Sequence, residues 1–183
     1  MNKTLFLLLT LNLLSFSQSA AAYWDEAWTA RAKITLNPQG VAAVVDQVPV
    51  AVRLHSGNFN FLEASTDGAD LRFVSADDKT ELKFYIEKFD AVNELALIWV
   101  LLPKIDPADK SAHFWLYYGN DTATAAADSK SSSGAGTVAV FHFSEKALLQ
   151  DASGSGLTAT GDITVQKAAL LGESAIFSGQ ALS

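Results

Sequence analysis

The chain has 183 residues, of which 49% are hydrophobic; that is one domain and a fraction on a prior of roughly 100–200 residues per domain, and enough apolar material for a core, which excludes a disordered chain. Its net charge of −7 excludes nucleic acid as a partner, since phosphate binding requires clustered Lys and Arg. It has no cysteine, which excludes a disulfide scaffold and thiolate chemistry or metal ligation.

Residues 1–22 read as a secretory signal peptide. Lys3 supplies the positive end, Leu5 to Leu14 an apolar stretch interrupted only by Thr10 and Asn12, and Ser19-Ala20-Ala21-Ala22 the small residues for cleavage after Ala22. The apolar stretch is about half the ~20 residues that a membrane span needs. The mature chain is therefore expected to begin at Tyr23, exported to the periplasm or cell surface.

From Trp28 to Leu36, Ala30, Ala32, Ile34 and Leu36 alternate with polar neighbours, predicting a half-buried strand that ends at Asn37-Pro38-Gln39-Gly40. Val48, Val50, Val52 and Leu54 form a second alternation. Pro49 cannot donate to a ladder, so this strand starts there or lies at a sheet edge. Residues 57–68 suggest a short helical turn around Phe59, Phe61 and Leu62. Asp70 to Val74 reads as a strand with Leu71 and Phe73 inward, and a polar turn over residues 76–80 leads to a further strand through Leu82, Phe84 and Ile86.

Leu95 to Leu102 is apolar at every position, so it is predicted to be buried on both faces, with Trp99 in the core and Pro103 and Asp106-Pro107 bounding it. In Ala112 to Asn120, His113, Trp115 and Tyr117 point to one side, and Phe114, Leu116 and Tyr118 to the other. These two runs are expected to be neighbours in one antiparallel sheet. With no long amphipathic helix, the fold class is all-β: an antiparallel β-sandwich over residues 23–122. Residues 123–137, rich in Ala, Ser and Gly, read as a flexible linker. Beyond it, Val138 to Phe143, the turn Asp151-Ala152-Ser153-Gly154 and the run Ala175-Ile176-Phe177 suggest the opening strands of a second β module over residues 138–183, too short to bury a core of its own.

Read together, Trp28-Thr29-Ala30-Arg31-Ala32-Lys33-Ile34, Val48-Pro49-Val50, Gly68-Ala69-Asp70-Leu71-Arg72-Phe73, Ile98-Trp99-Val100 and Tyr117-Tyr118-Gly119-Asn120 resemble a bacterial and archaeal family of unknown function. The resemblance implies an exported domain, often placed ahead of concanavalin-like (laminin-G-like) sandwiches. Some members are associated with proton-channel proteins of the MotA/TolQ/ExbB type. Val140-Phe141-His142-Phe143, with Asp151 to Gly154 and Ala175 to Gly179, looks like the start of such a concanavalin-like module.

For chemistry, Asp70 and Arg72 are expected to form a structural ion pair pinning their strand rather than a ligand clamp. His55, His113 and His142 show no metal spacing, so no metal site is expected. Glu81, Glu87, Asp90 and Glu94 read as surface carboxylates, because glycoside hydrolysis needs two across a cleft. Ser153 and Ser155 sit in a glycine turn without a nucleophile-elbow frame, and Asn120-Asp121-Thr122 reads as a turn. Trp24, Trp28, His113, Trp115 and Tyr117 are the candidate binding residues, an aromatic platform for sugar rings, with core packing the competing role for Trp115. Trp99, Tyr118, Gly119 and Asn120 are structural. The expectation is an exported, non-catalytic binding protein without a cofactor, taking a polysaccharide or, as an accessory component, envelope proteins of a proton-channel transport system. The alternative is the non-catalytic part of a longer polysaccharide-active enzyme.

Overall fold

The computed structural model describes residues 23–134, 136–144, 147–169 and 172–177; the signal-peptide expectation lies outside them. Strands β1 (Ala30–Thr35), β2 (Val45–His55), β3 (Arg72–Ser75), β4 (Glu81–Leu82), β5 (Phe84–Asp90), β6 (Leu95–Ile105) and β7 (His113–Tyr118) build two antiparallel sheets. Sheet A has the order β1-β7-β3-β4 and sheet B the order β2-β6-β5. A 3-10 turn, Phe61–Glu63, supplies the short helical turn expected between β2 and β3. Among the described residues no helix is long and apolar enough to cross a membrane.

Alternation sorts the side chains between the faces of each sheet. Ala32 and Ile34 of β1, Phe73 of β3 and Phe114 and Leu116 of β7 meet Val52 and Leu54 of β2, Phe84 of β5, and Ala96, Ile98, Val100 and Leu102 of β6 in one core. This is the sheet-on-sheet packing of a β-sandwich, with the two inner faces interdigitating. Pro49 lies on β2 at the edge of sheet B, where a missing donor costs no ladder bond on its open side.

Four expectations are corrected. The runs 95–102 and 112–120 are not neighbours: β6 is the middle strand of sheet B and β7 lies inside sheet A, so they face each other across the core. The strand predicted through Leu82 and Ile86 is divided at Lys83, β4 pairing with β3 in sheet A and β5 with β6 in sheet B. A strand that changes sheets at a bend is a recognised way to make a sandwich corner. Pro103 does not bound β6; it lies within the strand, opposite Gln47, whose positive φ of 54° bends β2 away at the point where Pro103 has no N–H to offer. Trp99 is on the outward face of β6, half-buried and outside the core, because Ile98 and Val100 occupy the inward positions.

Residues 123–134 run against the sandwich. Arg72 Nη2 donates to the Thr124 carbonyl (2.7 Å), Asp128 N to the Phe84 carbonyl (2.8 Å), and Ser132 is buried. Small side chains allow this approach: a Cβ on Gly134 would lie 2.4 Å from the Gln47 carbonyl oxygen. Residues 138–144 belong to no strand, contrary to their alternation. Their backbone is tied instead to the Asp151 turn, Val140 N donating to Asp151 Oδ1 (2.8 Å) and Ala152 N to the Val140 carbonyl (2.8 Å). A separate hairpin of β8 (Thr164–Ala169) and β9 (Gly172–Ile176) follows, in the region of the run at Ala175.

Candidate functional site

All five candidate binding residues gather on the outer face of sheet A. Trp24 packs on Trp28 (ring centroids 5.2 Å) and on Tyr117 (5.9 Å), and His113 meets Trp115 edge-on at 5.7 Å. Their centre is Arg31, whose outward position on β1 follows from Ala32 facing the core. Arg31 Nη1 donates to Asp78 Oδ2 (2.5 Å) and to the Tyr117 hydroxyl (2.9 Å), which itself donates to Asp78 Oδ1 (2.6 Å). The guanidinium lies over Trp115 at 4.2 Å and Tyr23 at 4.8 Å. Desolvation pulls the Arg31 pKa down, but the bond to Tyr117 and the charge of Asp78 outweigh it and leave it above its ordinary value. Burial, then the bond to Asp78, raises the Tyr117 pKa. Tyr117 is 0% and Trp28 8% exposed, so neither ring presents a face to solvent. The aromatic surface thus stacks mainly on itself and on Arg31, the residue that strand alternation marked only as polar.

Asp70 and Arg72 are both buried but form no ion pair. Asp70 accepts from the backbone N–H groups of Ser65 (3.0 Å), Gly119 (2.7 Å) and Asn120 (3.4 Å), stapling the end of β7 to the turn before β3. Arg72 donates to the carbonyls of Ala69, Leu71 and Thr124 and sits over the Trp28 ring at 5.1 Å. Burial lowers its pKa, with the charges of Glu81 and Asp70 opposing. Backbone partners satisfy both groups without the geometry of a direct pair, and Gly119 takes its place in the staple because φ of +85° is open to glycine. A Cβ there would lie 2.4 Å from Thr29 Oγ1.

The outer face of sheet B carries a second aromatic group that alternation did not reveal. Tyr85 and Trp99 are directly opposite in the β5–β6 ladder and their rings stack at 6.4 Å and 19°. Trp99 Nε1 donates to Glu87 Oε2 (2.6 Å). His142, from the segment crossing this face, packs on Tyr85 at 5.2 Å with Nδ1 3.8 Å from Glu87 Oε2. Its Nε2 is buried without a hydrogen-bond partner. These side chains, with Phe141 and the hydroxyl residues Ser132, Ser133 and Thr137, line a cavity of about 330 Å³. Burial, then the charge of Glu87, raises the Tyr85 pKa, so its hydroxyl stays protonated through the physiological range.

Of the four surface carboxylates singled out in the sequence, only Glu87 lines this cavity. Asp90 is held by Asn93 in the turn after β5. Among the described residues no group of three or more His, Asp or Glu is arranged to hold a metal ion. The signal that could have marked the cavity was the pair Tyr85 and Trp99, both at outward positions of their strands; the sequence could not place His142 over them.

The molecule is thus an antiparallel β-sandwich with a polar and aromatic cavity on one outer face. The family model described as Domain of unknown function (DUF2341) matches residues 67–153, which supports the expected family of unknown function. The match takes in β3 to β7 and the segment over sheet B through the Asp151 turn, and leaves out the Trp28 to Ile34 and Val48 to Val50 pieces of the resemblance. No curated protein and no solved structure matches the chain.

Proposed function

We propose that this is an exported, non-catalytic glycan-binding protein, and that one neutral sugar unit occupies the cavity over sheet B. The observation that carries the reading is the stacked pair of Trp99 and Tyr85 flooring a cavity that also holds Glu87 and the His142 imidazole. A pyranose has an apolar face for the indole and hydroxyls around its rim. Its hydroxyls can donate to Glu87 and exchange hydrogen bonds with the serine and threonine hydroxyls that line the cavity. The cavity volume of about 330 Å³ lies at the lower end of the range for small-molecule sites. A single carboxylate and a net charge of −7 disfavour acidic sugars. With one carboxylate in the cavity, the two-carboxylate route of glycoside hydrolysis lacks its second member there.

The test is an array of neutral and acidic glycans, followed by titration calorimetry on the best binder. Trp99→Ala and Glu87→Gln are each expected to lower affinity about tenfold, the scale of one aromatic or charge-assisted contact. Trp24→Ala on sheet A should leave it within twofold. Loss with Trp24→Ala alone would move the site to the sheet A surface, and release of shortened sugars by the purified protein would overturn the non-catalytic reading.

A further inference from the structure

The chain that covers the outer face of sheet B crosses it twice, as residues 128–134 and then 136–142, and its anchors fix the path. On the first pass Asp128 N donates to the Phe84 carbonyl at the start of β5 (2.8 Å). At the far side Gly134 lies so close to the Gln47 carbonyl of β2 and to Pro49 that a Cβ there would collide. On the return the His142 ring packs on Tyr85 of β5 (5.2 Å), with Nδ1 3.8 Å from Glu87 Oε2. The chain therefore leaves β5, turns at the β2 edge and comes back to β5, with Trp99 of the middle strand inside the bend.

Both passes wall the cavity, Ser132 and Ser133 from the first and Thr137, Val140, Phe141 and His142 from the second. Hydrogen bonds hold these walls in place. Ser132 Oγ donates to the Asp128 carbonyl (2.5 Å), Ser133 Oγ to the Ser129 carbonyl (3.3 Å), Thr137 N to the Gly134 carbonyl (3.1 Å) and Val140 N to Asp151 Oδ1 (2.8 Å). Along the sheet the cavity stops at once. Among the described residues Trp99 is the one member of β6 that lines it; Leu97 and Leu101, next on the same face, do not, and neither do Ala51 of β2 and Lys88 of β5. A linear polymer held at an internal unit needs room on both sides of that unit, because its two neighbours continue in opposite directions. A floor one residue long on the middle strand, walled by both passes of the covering chain, is a well rather than a groove.

We propose that this well takes the terminal unit of a neutral glycan, end-on, and does not hold an internal unit of a chain lying across the sheet. The inference rests on the glycan-binding reading above and narrows its ligand class to chain ends, branch tips and free monosaccharides. The terminal ring stacks on Trp99, its free hydroxyls meet Glu87 and the wall hydroxyls, and its one glycosidic bond points out of the well. Walls already fixed by hydrogen bonds keep the ordering cost of binding small.

Titration calorimetry of the mature chain with linear hexasaccharides of glucose, mannose, galactose and N-acetylglucosamine tests it. Each series includes the free hexasaccharide, the single sugar, the chain blocked at its reducing end by reduction to the alditol, the chain blocked at its other end by a benzylidene acetal, and the chain blocked at both. For the sugar that binds, the single unit is expected within about fivefold of the hexasaccharide, and the doubly blocked chain is expected to lose at least tenfold, the scale of one lost contact. Whichever single block has the same effect identifies the end that enters. Undiminished binding of the doubly blocked chain, or a single unit bound more than tenfold more weakly than the hexasaccharide, overturns end-on recognition and leaves glycan binding standing. Binding of none of these sugars, or a hexasaccharide affinity that Trp99→Ala leaves unchanged, overturns both.

Discussion

At the residue scale, Asp70 shows how a buried charge is held without a partner of opposite sign. Its carboxylate takes N–H groups from Ser65, Gly119 and Asn120, bonds that are charge-assisted and stronger than neutral ones. Asp70→Asn replaces one oxygen by a donor facing donors. The expected loss is about 1.5–3 kcal/mol in urea unfolding, and a loss below about 0.5 would show that the staple is not needed. Asp77 acts in the turn between β3 and β4, where Ser75 Oγ donates to it and the backbone N–H groups of Lys79 and Thr80 cap it. Those bonds, Ser75 first, lower its pKa from 3.8 to about 2. A carboxylate with a depressed folded-state pKa stabilises the fold fully above its unfolded pKa and loses that contribution as pH falls through the folded value. The stability difference between the native chain and Asp77→Asn should therefore be constant from neutral pH down to about 4 and close toward pH 2. A difference that stays constant to pH 2 would assign the effect to the shape of the side chain rather than to its charge.

At the element scale, β7 carries two different environments on alternate residues. Leu116 is fully buried between the sheets, whereas Trp115 is half-buried on the outer face under Arg31. Leu116→Ala is expected to cost 2–5 kcal/mol, the range for truncation in a packed core. Trp115→Ala should cost roughly 1–2 kcal/mol, a cation–π contact plus partial burial, and leave a folded domain. Thermal denaturation of both variants checks the order, and a larger loss at Trp115 would mean that the outer cluster is a second core. The alternation of β7 was legible in the sequence because a period of two assigns every side chain to a face. The partners of β7 were not, since the apolar run of β6 is equally compatible with pairing beside it or packing across from it. The same ambiguity hid Lys83: nothing in Leu82, Phe84 and Ile86 records that the chain crosses from one sheet to the other there, because both sheets bury that face against the same core. The aromatic platform was legible as a set, and its self-stacking was not, because Arg31 on β1 reaches it only through the pairing Arg31↔Tyr117.

At the scale of the whole molecule, the segment after β7 decides how many layers the fold has. Two sheets with alternating strands need no cover on their outer faces when those positions are polar. The outer face of sheet B is not polar: Leu95, Leu97, Trp99 and Leu101 project from β6 beside Tyr85 of β5. Residues 128–134 and 136–142 supply the cover, through the Asp128 N bond to the Phe84 carbonyl, buried Ser132 and the ring of His142. Asp151 then fixes the far end, accepting from Val140 N, Ser153 N and the hydroxyls of Ser153 and Ser155. The division expected at residue 122 would cut through this arrangement, and an end at residue 153, where the family match stops, would still remove Ser155 and the backbone bonds of Asp151 to Leu157 and of Ala159 to Leu149, whereas an end at residue 159 keeps them. A chain of residues 23–122 is expected to melt at least 4–8 °C below one of residues 23–159, the shift that ~1 kcal/mol produces in a domain of about 100 residues. Its tryptophan emission should also move to longer wavelength as Trp99 loses its cover. Equal melting points and equal emission would show that the two-sheet unit is complete at residue 122 and that the segment over sheet B is an attachment rather than a layer.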